Sequence, residues 1–201
     1  MMKTLANCAL LIVDLQNDFL SEKGAYARGQ TTSALAQALP QRVLPVAQAI
    51  KAQGGLVCAS LFTLWPNALG EPMISEHLLQ KRPFLRKGDF APNSWGQSVV
   101  DVLAPIVDVS VCKVAYSAFF NTQLDWVLKK TGIERLVVCG IVTNGGVASS
   151  VRDAHVRDYD TTVLSDGCAA FGQTAHEAAL SDMSSVANVL SCQEFLNAHL
   201  V

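Results

Sequence analysis

Short apolar runs alternate with amphipathic stretches along the chain. Ala9 to Val13 (ALLIV), Leu56 to Phe62 (LVCASLF) and Leu136 to Val142 are continuous apolar runs, the pattern of strands buried on both faces. Asp108 to Ala115 (DVSVCKVA) alternates as a strand does, with Lys113 breaking the apolar register. Thr161 to Ser165 predicts a fifth strand, and a weaker run, Ala187 to Leu190, a sixth. Helical spacing fills the intervals. It runs from Ser33 to Gln53, where Pro40 and Pro45 mark an entry turn or a break, and ends at Gly54-Gly55. It returns over 123–131, capped by Asn121 or Thr122 and stopped by Gly132, and again over 173–185. Residues 21–32 read as a polar loop. Residues 66–96, rich in Pro, Gly and Asn, read as the long connection that often carries substrate loops or oligomer contacts. Strands alternating with helices predict an α/β fold, a parallel sheet covered on both faces.

The most informative stretch is Glu134 to Tyr159. Its apolar run breaks at Thr143, Asn144, Gly145 and Gly146, and Val147, Val151 and Ala154 then follow at helical spacing. Asn144 is the candidate N-cap, and the two glycines admit close approach of backbone or ligand. A plain strand–helix connection fits this stretch. So does a site built on a helix N-terminus at the carboxyl end of a strand. Asp14 also admits two readings, as a cap for the turn-like LQNDF or as a carboxylate placed at a strand end. Lys113 either faces water from an edge strand or is buried with a partner, because an unpaired buried ammonium is costly.

Composition narrows the classes. With 201 residues, half of them apolar, the chain 1–201 fits one domain with a sizeable core. A net charge of −2 and a pI near 6.0 offer no basic surface for nucleic acid. No apolar run is long enough to span a membrane, and residues 1–8 lack the layout of an export signal. The six cysteines form no CxxC pair and several sit in apolar runs, which reads as free thiols in a cytoplasmic protein. A mean hydropathy of +0.28 leaves more apolar surface than a small monomer usually exposes, so a homo-oligomer, at least a dimer, is expected.

Three separated motifs, ALLIVDLQNDF, CKVAYSAFFNT and GIVTNGGVASSVRDA, together resemble the isochorismatase-like (cysteine hydrolase) family. That family holds isochorismatases, nicotinamidases, N-carbamoylsarcosine amidases and ureide hydrolases, and the likeness extends over nearly the whole chain. It implies a three-layer α-β-α sandwich whose six-stranded parallel sheet has the Rossmann-like order 3-2-1-4-5-6. It also implies a hydrolase acting on a small molecule. Asp14 matches the acid/base aspartate and Lys113 the second catalytic residue, while Gly146 stands where the amidase members carry their nucleophilic cysteine. The resemblance further implies an oxyanion-binding turn from the backbone of Val142, Thr143 and Gly146, shaped by a cis peptide just before Thr143. Phe19, Trp65, Tyr116, Phe119, Asn144 and Gly145 are expected around the pocket, with Trp65 equally open to plain packing beside Pro66. Asp18 reads as a turn residue and His176 as structural. Ser94 to Leu103 resembles a short family helix, and Asp166 to Phe171 a family connection. The nicotinamidases hold a metal with an Asp-x-His pair after the second strand. Here that stretch is Thr63-Leu64-Trp65-Pro66, and His77 alone is too little, so neither metal nor cofactor is expected.

Gly146 has no sulfur, and Cys139 and Cys168 do not occupy its position, which argues against covalent amide hydrolysis. Family isochorismatases that lack the cysteine cleave a vinyl ether by protonating its terminal carbon. Asp14 would then be the general acid, and Lys113 opposes its protonation while burial favours it. Arg82, Arg86 and Lys87 are candidates for a substrate carboxylate, with a solvated surface favoured for each. Two further readings stay open. One is an amide or ureide hydrolase that uses activated water or another thiol. The other is a binding protein without catalysis.

Overall fold

The apolar runs become six strands of one sheet in the computed structural model, which describes residues 5–199. Residues 1–4, part of the N-terminal stretch read above as carrying no export signal, lie outside the described residues. The strands are β1 (Cys8–Val13), β2 (Leu56–Phe62), β3 (Val109–Lys113), β4 (Arg135–Ile141), β5 (Asp160–Ala169) and β6 (Asn188–Leu190). All neighbours pair in parallel, in the order β3-β2-β1-β4-β5-β6. Short helices α1 (Asn17–Leu20) and α2 (Ala25–Arg28) follow β1, and the long α3 (Ala34–Ala52) leads into β2. Next come α4 (Glu76–Lys81), α5 (Leu124–Lys130), α6 (Ala148–Val156), α7 (Gln173–Met183) and α8 (Cys192–His199).

β1 explains the layering. Every one of its residues is buried, and alternate side chains enter different cores. Leu10 and Ile12 pack with Leu39, Val43 and Ile50 of α3 and Phe195 of α8. Ala9, Leu11 and Val13 pack with Leu124 and Leu128 of α5, Val151 and Ala154 of α6 and Met183 of α7. A strand with helices on both sides must be apolar at every position, which is why this segment reads as a continuous run rather than an alternation.

Register then aligns the strand ends. Val13 lies abreast of Ser60 on one side and Gly140 on the other, and Phe62 lies abreast of Lys113. Asp14, Lys113 and the turn after Ile141 therefore emerge at the same edge, beside the reversal of strand order between β1 and β4, where open α/β sheets form clefts. Gly140 makes the close approach possible. It has φ +120°, and a Cβ there would fall 2.0 Å from the Val13 carbonyl oxygen.

Several local expectations are corrected. α3 runs unbroken through Pro40 and Pro45. A proline inside a helix costs about 3 kcal/mol, but the apolar stripe from Leu39 to Ile50 is buried against the sheet, at about 1.5–3 kcal/mol for each large side chain. Ser94 to Leu103 forms turns instead of a helix. Its carbonyls are engaged elsewhere, Ser98 accepting from Asn17 N–H at 3.0 Å and Gly96 from Asp18 N–H at 2.8 Å. Asp166 to Ala169 extend β5 beyond the five residues expected. The loop 21–32 contains α2, and α8 closes one layer without an advance signal. Asn144 caps nothing, because Thr143–Val147 form a π-helical turn whose N-cap is Val142.

Candidate active site

Asp14 leaves β1 in the left-handed region, at φ 57°, a conformation that aspartate tolerates better than most side chains. Its N–H donates to the Ser60 carbonyl at 3.1 Å and its carbonyl accepts from Gln16 N–H at 2.9 Å. The carboxylate therefore turns over the sheet edge. Oδ2 lies 2.7 Å from Lys113 Nζ, and Oδ1 accepts from the Ser60 hydroxyl at 3.1 Å. Lys113 also donates to the carbonyls of Ala115 at 3.0 Å and Tyr116 at 3.1 Å, which occupies all three of its donors. β3 is an edge strand, yet Lys113 is buried, as Asp14 is. The water-facing reading of this lysine is excluded.

Burial pushes the Asp14 carboxyl above the ordinary carboxylate range; the Lys113 ammonium and the hydrogen bonds from Lys113, Ser60 and the Phe62 backbone only partly offset it. Gly146 faces the same carboxylate. A Cβ on Gly146 would lie 3.3 Å from Asp14 Oδ2 and 3.1 Å from both the Ile141 carbonyl oxygen and Val13 Cγ1. Any side chain at this position would stand over the acid. The peptide bond between Ile141 and Val142 is cis, so Val142 leads directly from it into Thr143.

Asp14, Lys113 and Gly146 form the floor of a cavity of about 480 Å³, within the range typical of small-molecule sites. Phe62, Ile141 and Val142 continue the lower wall, and Leu64, Trp65, Met73, Ile74 and Leu78 form the apolar outer wall. Arg82 lies on that wall among aromatic rings. Its Nε donates to the Tyr26 hydroxyl at 3.0 Å, and the Tyr116 phenol lies nearby. Among the described residues no carboxylate pairs with Arg82.

The sequence profile described as Isochorismatase domain matches residues 8–194. The chain belongs to the isochorismatase family. It is a hydrolase of that family, similar to the ureidoacrylate amidohydrolase RutB of Stutzerimonas stutzeri, with 32% identity over 94% of this chain and 83% of the relative. The protein of the same name from Serratia proteamaculans is 34% identical over 91% of this chain and 82% of its own. Among solved structures, an isochorismatase-like hydrolase from Alkaliphilus metalliredigens superposes with a TM-score of 0.78 at 25% identity, over 96% of this chain and 98% of the other. A cysteine hydrolase from Pseudomonas syringae shares the fold, with a TM-score of 0.83 at 24% identity over 100% and 95% of the two chains.

Of the residues expected around the pocket, Phe19, Trp65 and Tyr116 line the cavity, as do Val142 and Gly146 of the turn, whereas Phe119, Asn144 and Gly145 do not, nor does Thr143 of the turn. Phe119 is buried in the α5–α6 core instead. Its ring stacks on Tyr159 at 6.0 Å and lies under the Arg157 guanidinium at 4.9 Å. Asn144 is exposed on the outer side of the π-helical turn. Gly145 sits behind Val142, where a Cβ would fall 2.8 Å from the valine side chain. Thr143 is fully buried, with its hydroxyl 2.8 Å from His176 Nδ1.

Tyr26, Phe171 and the cavity position of Arg82 were not anticipated. They come from three separated parts of the chain, Tyr26 from α2, Arg82 from the end of α4 and Phe171 from the link between β5 and α7. Tyr26 and Phe171 stack at 5.7 Å, and Arg82 reaches the same tyrosine. Asp18 is a holding residue, accepting from Ala25 N–H at 3.0 Å and Phe90 N–H at 2.7 Å. His77 is exposed on α4, and among the described residues no three His, Cys, Asp or Glu side chains converge as a metal site. Cys139 and Cys168 are buried, and burial raises both thiols well above the ordinary range; neither lines this cavity. Among the described residues no helix is long and apolar enough to cross a membrane.

Proposed function

We propose that this family hydrolase cleaves a small anionic vinyl or enol ether by proton transfer, with Asp14 as general acid and no covalent intermediate. One observation carries the reading. A buried carboxyl of raised proton affinity faces the cavity at a position, Gly146, that offers no nucleophile. In a base or nucleophile-activating role, a raised pKa on this residue would be a handicap below that value. In a proton donor it is an asset.

Asp14 would deliver its proton to the terminal alkene carbon. The ether oxygen's lone pair then forms the oxocarbenium ion, and water adds to the oxocarbenium carbon. Loss of a proton to the Asp14 carboxylate regenerates the acid, and the hemiketal collapses to a ketone and an alcohol. One water is consumed and no bond to the protein forms. Lys113 would stabilise Asp14 once it is ionised, after the proton has left. The guanidinium of Arg82, lacking a carboxylate partner among the described residues and set in an apolar wall, supports an acidic substrate.

The relatives named ureidoacrylate amidohydrolase favour a second reading, amide or ureide hydrolysis in which Asp14 acts as base toward water. The two separate in one assay. The protein is incubated with an aryl carboxyvinyl ether or an aliphatic ureide, with and without prior iodoacetamide. Ether cleavage indifferent to iodoacetamide is expected; ureide cleavage alone would overturn the first reading, and its loss on alkylation would implicate a thiol. The free thiols, five of the six buried, support a cytoplasmic setting. Exposed Trp126 (65%) and Val156 (74%) support a symmetric homo-oligomer, which light scattering would test.

A further inference from the structure

We infer that His176 is a positioning residue of the hydrolytic site, acting through Thr143 on the turn that carries Gly146. The inference rests on the reading of Asp14 and Gly146 as the reacting floor. Thr143 opens the π-helical turn and is completely buried. Its hydroxyl has a single side-chain partner among the described residues, Nδ1 of His176 at 2.8 Å. The other end of the turn is held separately. The Gly146 carbonyl accepts from the Ser150 hydroxyl at 2.7 Å, and that hydroxyl accepts from Ala118 N–H at 2.9 Å. Between these two anchors the turn closes on itself, Gly145 and Val147 both donating to the Val142 carbonyl, at 2.9 and 3.3 Å.

The histidine comes from the first turn of α7, far from Thr143 in the chain, and its ring also borders a groove of about 380 Å³ with Arg42, Asp166, Gln173 and Glu177. It thus fixes the turn from outside the catalytic cavity, which it does not line. Without the ring, the Thr143 hydroxyl would be buried with no partner, and the turn would have to shift until water or a carbonyl satisfied it. The turn carries Gly146 directly against the acid. A Cβ added at Gly146 would lie 3.3 Å from Asp14 Oδ2, and displacements of about 1 Å in such sites cost on the order of 100-fold in rate.

The test uses a reporter that needs no substrate. In the Gly146→Cys background the introduced thiol stands beside Asp14 and Lys113, and its iodoacetamide labelling is followed against pH by peptide-resolved mass spectrometry. Adding His176→Ala is expected to move the midpoint of the labelling profile by about one pH unit and change the neutral rate about tenfold. His176→Asn, whose amide can occupy the place of Nδ1, should restore both. Thr143→Val should reproduce the His176→Ala shift, and the double change should add nothing to it. An unaltered profile in His176→Ala, or a shift that His176→Asn fails to reverse, overturns the inference. If Gly146→Cys does not fold, the same pair is compared in the wild-type background on the aryl carboxyvinyl ether or the ureide, whichever is turned over. There kcat should fall about 10–100-fold in His176→Ala with KM nearly constant, and recover in His176→Asn. Unchanged kcat, or equal losses in both variants, would overturn it. Failure of the ether reading alone leaves the labelling result standing.

Discussion

The two sides of the cavity are built in opposite ways. The floor consists of residues at the ends of β1, β3 and β4, fixed by sheet register, buried, and hydrogen-bonded at every polar atom of Asp14 and Lys113. The outer wall comes from the irregular connection between β2 and β3, with Trp65 and Met73 partly exposed and one guanidinium bonded to the Tyr26 hydroxyl. A proton donor needs placement within fractions of an ångström, which a parallel sheet supplies. A substrate wall needs only shape and one charge, which a loop can change without disturbing the sheet. On the proposed reading, chemistry and selectivity are thereby separable in this molecule.

Changes to the floor should be the most severe. Asp14→Asn keeps size and hydrogen bonding but removes the proton, and kcat should drop about 10²–10⁴-fold with ligand binding retained. Lys113→Ala removes the cation beside Asp14, so above the Asp14 pKa, where the carboxylate is ionised, unfolding free energy in urea should fall by roughly 3–5 kcal/mol along with the rate, and by less at lower pH. Arg82→Leu attacks the wall. It should raise KM for an acidic substrate about 10–100-fold and leave kcat within a fewfold, and a matching loss of kcat would place this guanidinium in the chemistry instead. Trp65→Ala, on the exposed rim, should change KM only a fewfold.

Stability offers a quieter check of the floor. The pKa of Asp14 is raised in the folded state, so the folded form binds more protons than the unfolded chain between the two values. Its contribution is full below the unfolded value of about 3.9 and is lost as pH rises through the folded one. Wild type should therefore lose melting temperature relative to Asp14→Asn across that window. A constant difference would mean that burial does not dominate at Asp14.

The floor was legible in the sequence for the same reason that it is rigid. Continuous apolar runs mark strands buried on both faces, and such runs ending at Asp14 and at Thr143 locate the strand ends where a site can form. The three motifs added Lys113, whose burial on an edge strand the alternation alone could not decide. The wall was largely illegible. Tyr26, Arg82 and Phe171 meet only in space, and one arginine among the several cations of a polar connection carries no local sign of its neighbours. Phe119 shows the converse failure, since its place in a site motif concealed that its ring completes the core with Tyr159. Local chemistry misled at Pro40 and Pro45 as well, where burial of the α3 stripe outweighed the lost helix hydrogen bonds.

The central claim is that a protonated Asp14, with no nucleophile at position 146, performs the hydrolysis. The pH dependence of kcat on the aryl carboxyvinyl ether tests it most directly. An acid role requires a plateau at low pH and a tenfold fall per pH unit above a single break, which lies above the ordinary carboxylate range and disappears in Asp14→Asn. A rate that instead climbs with pH through that break, as a base would give, would contradict the account.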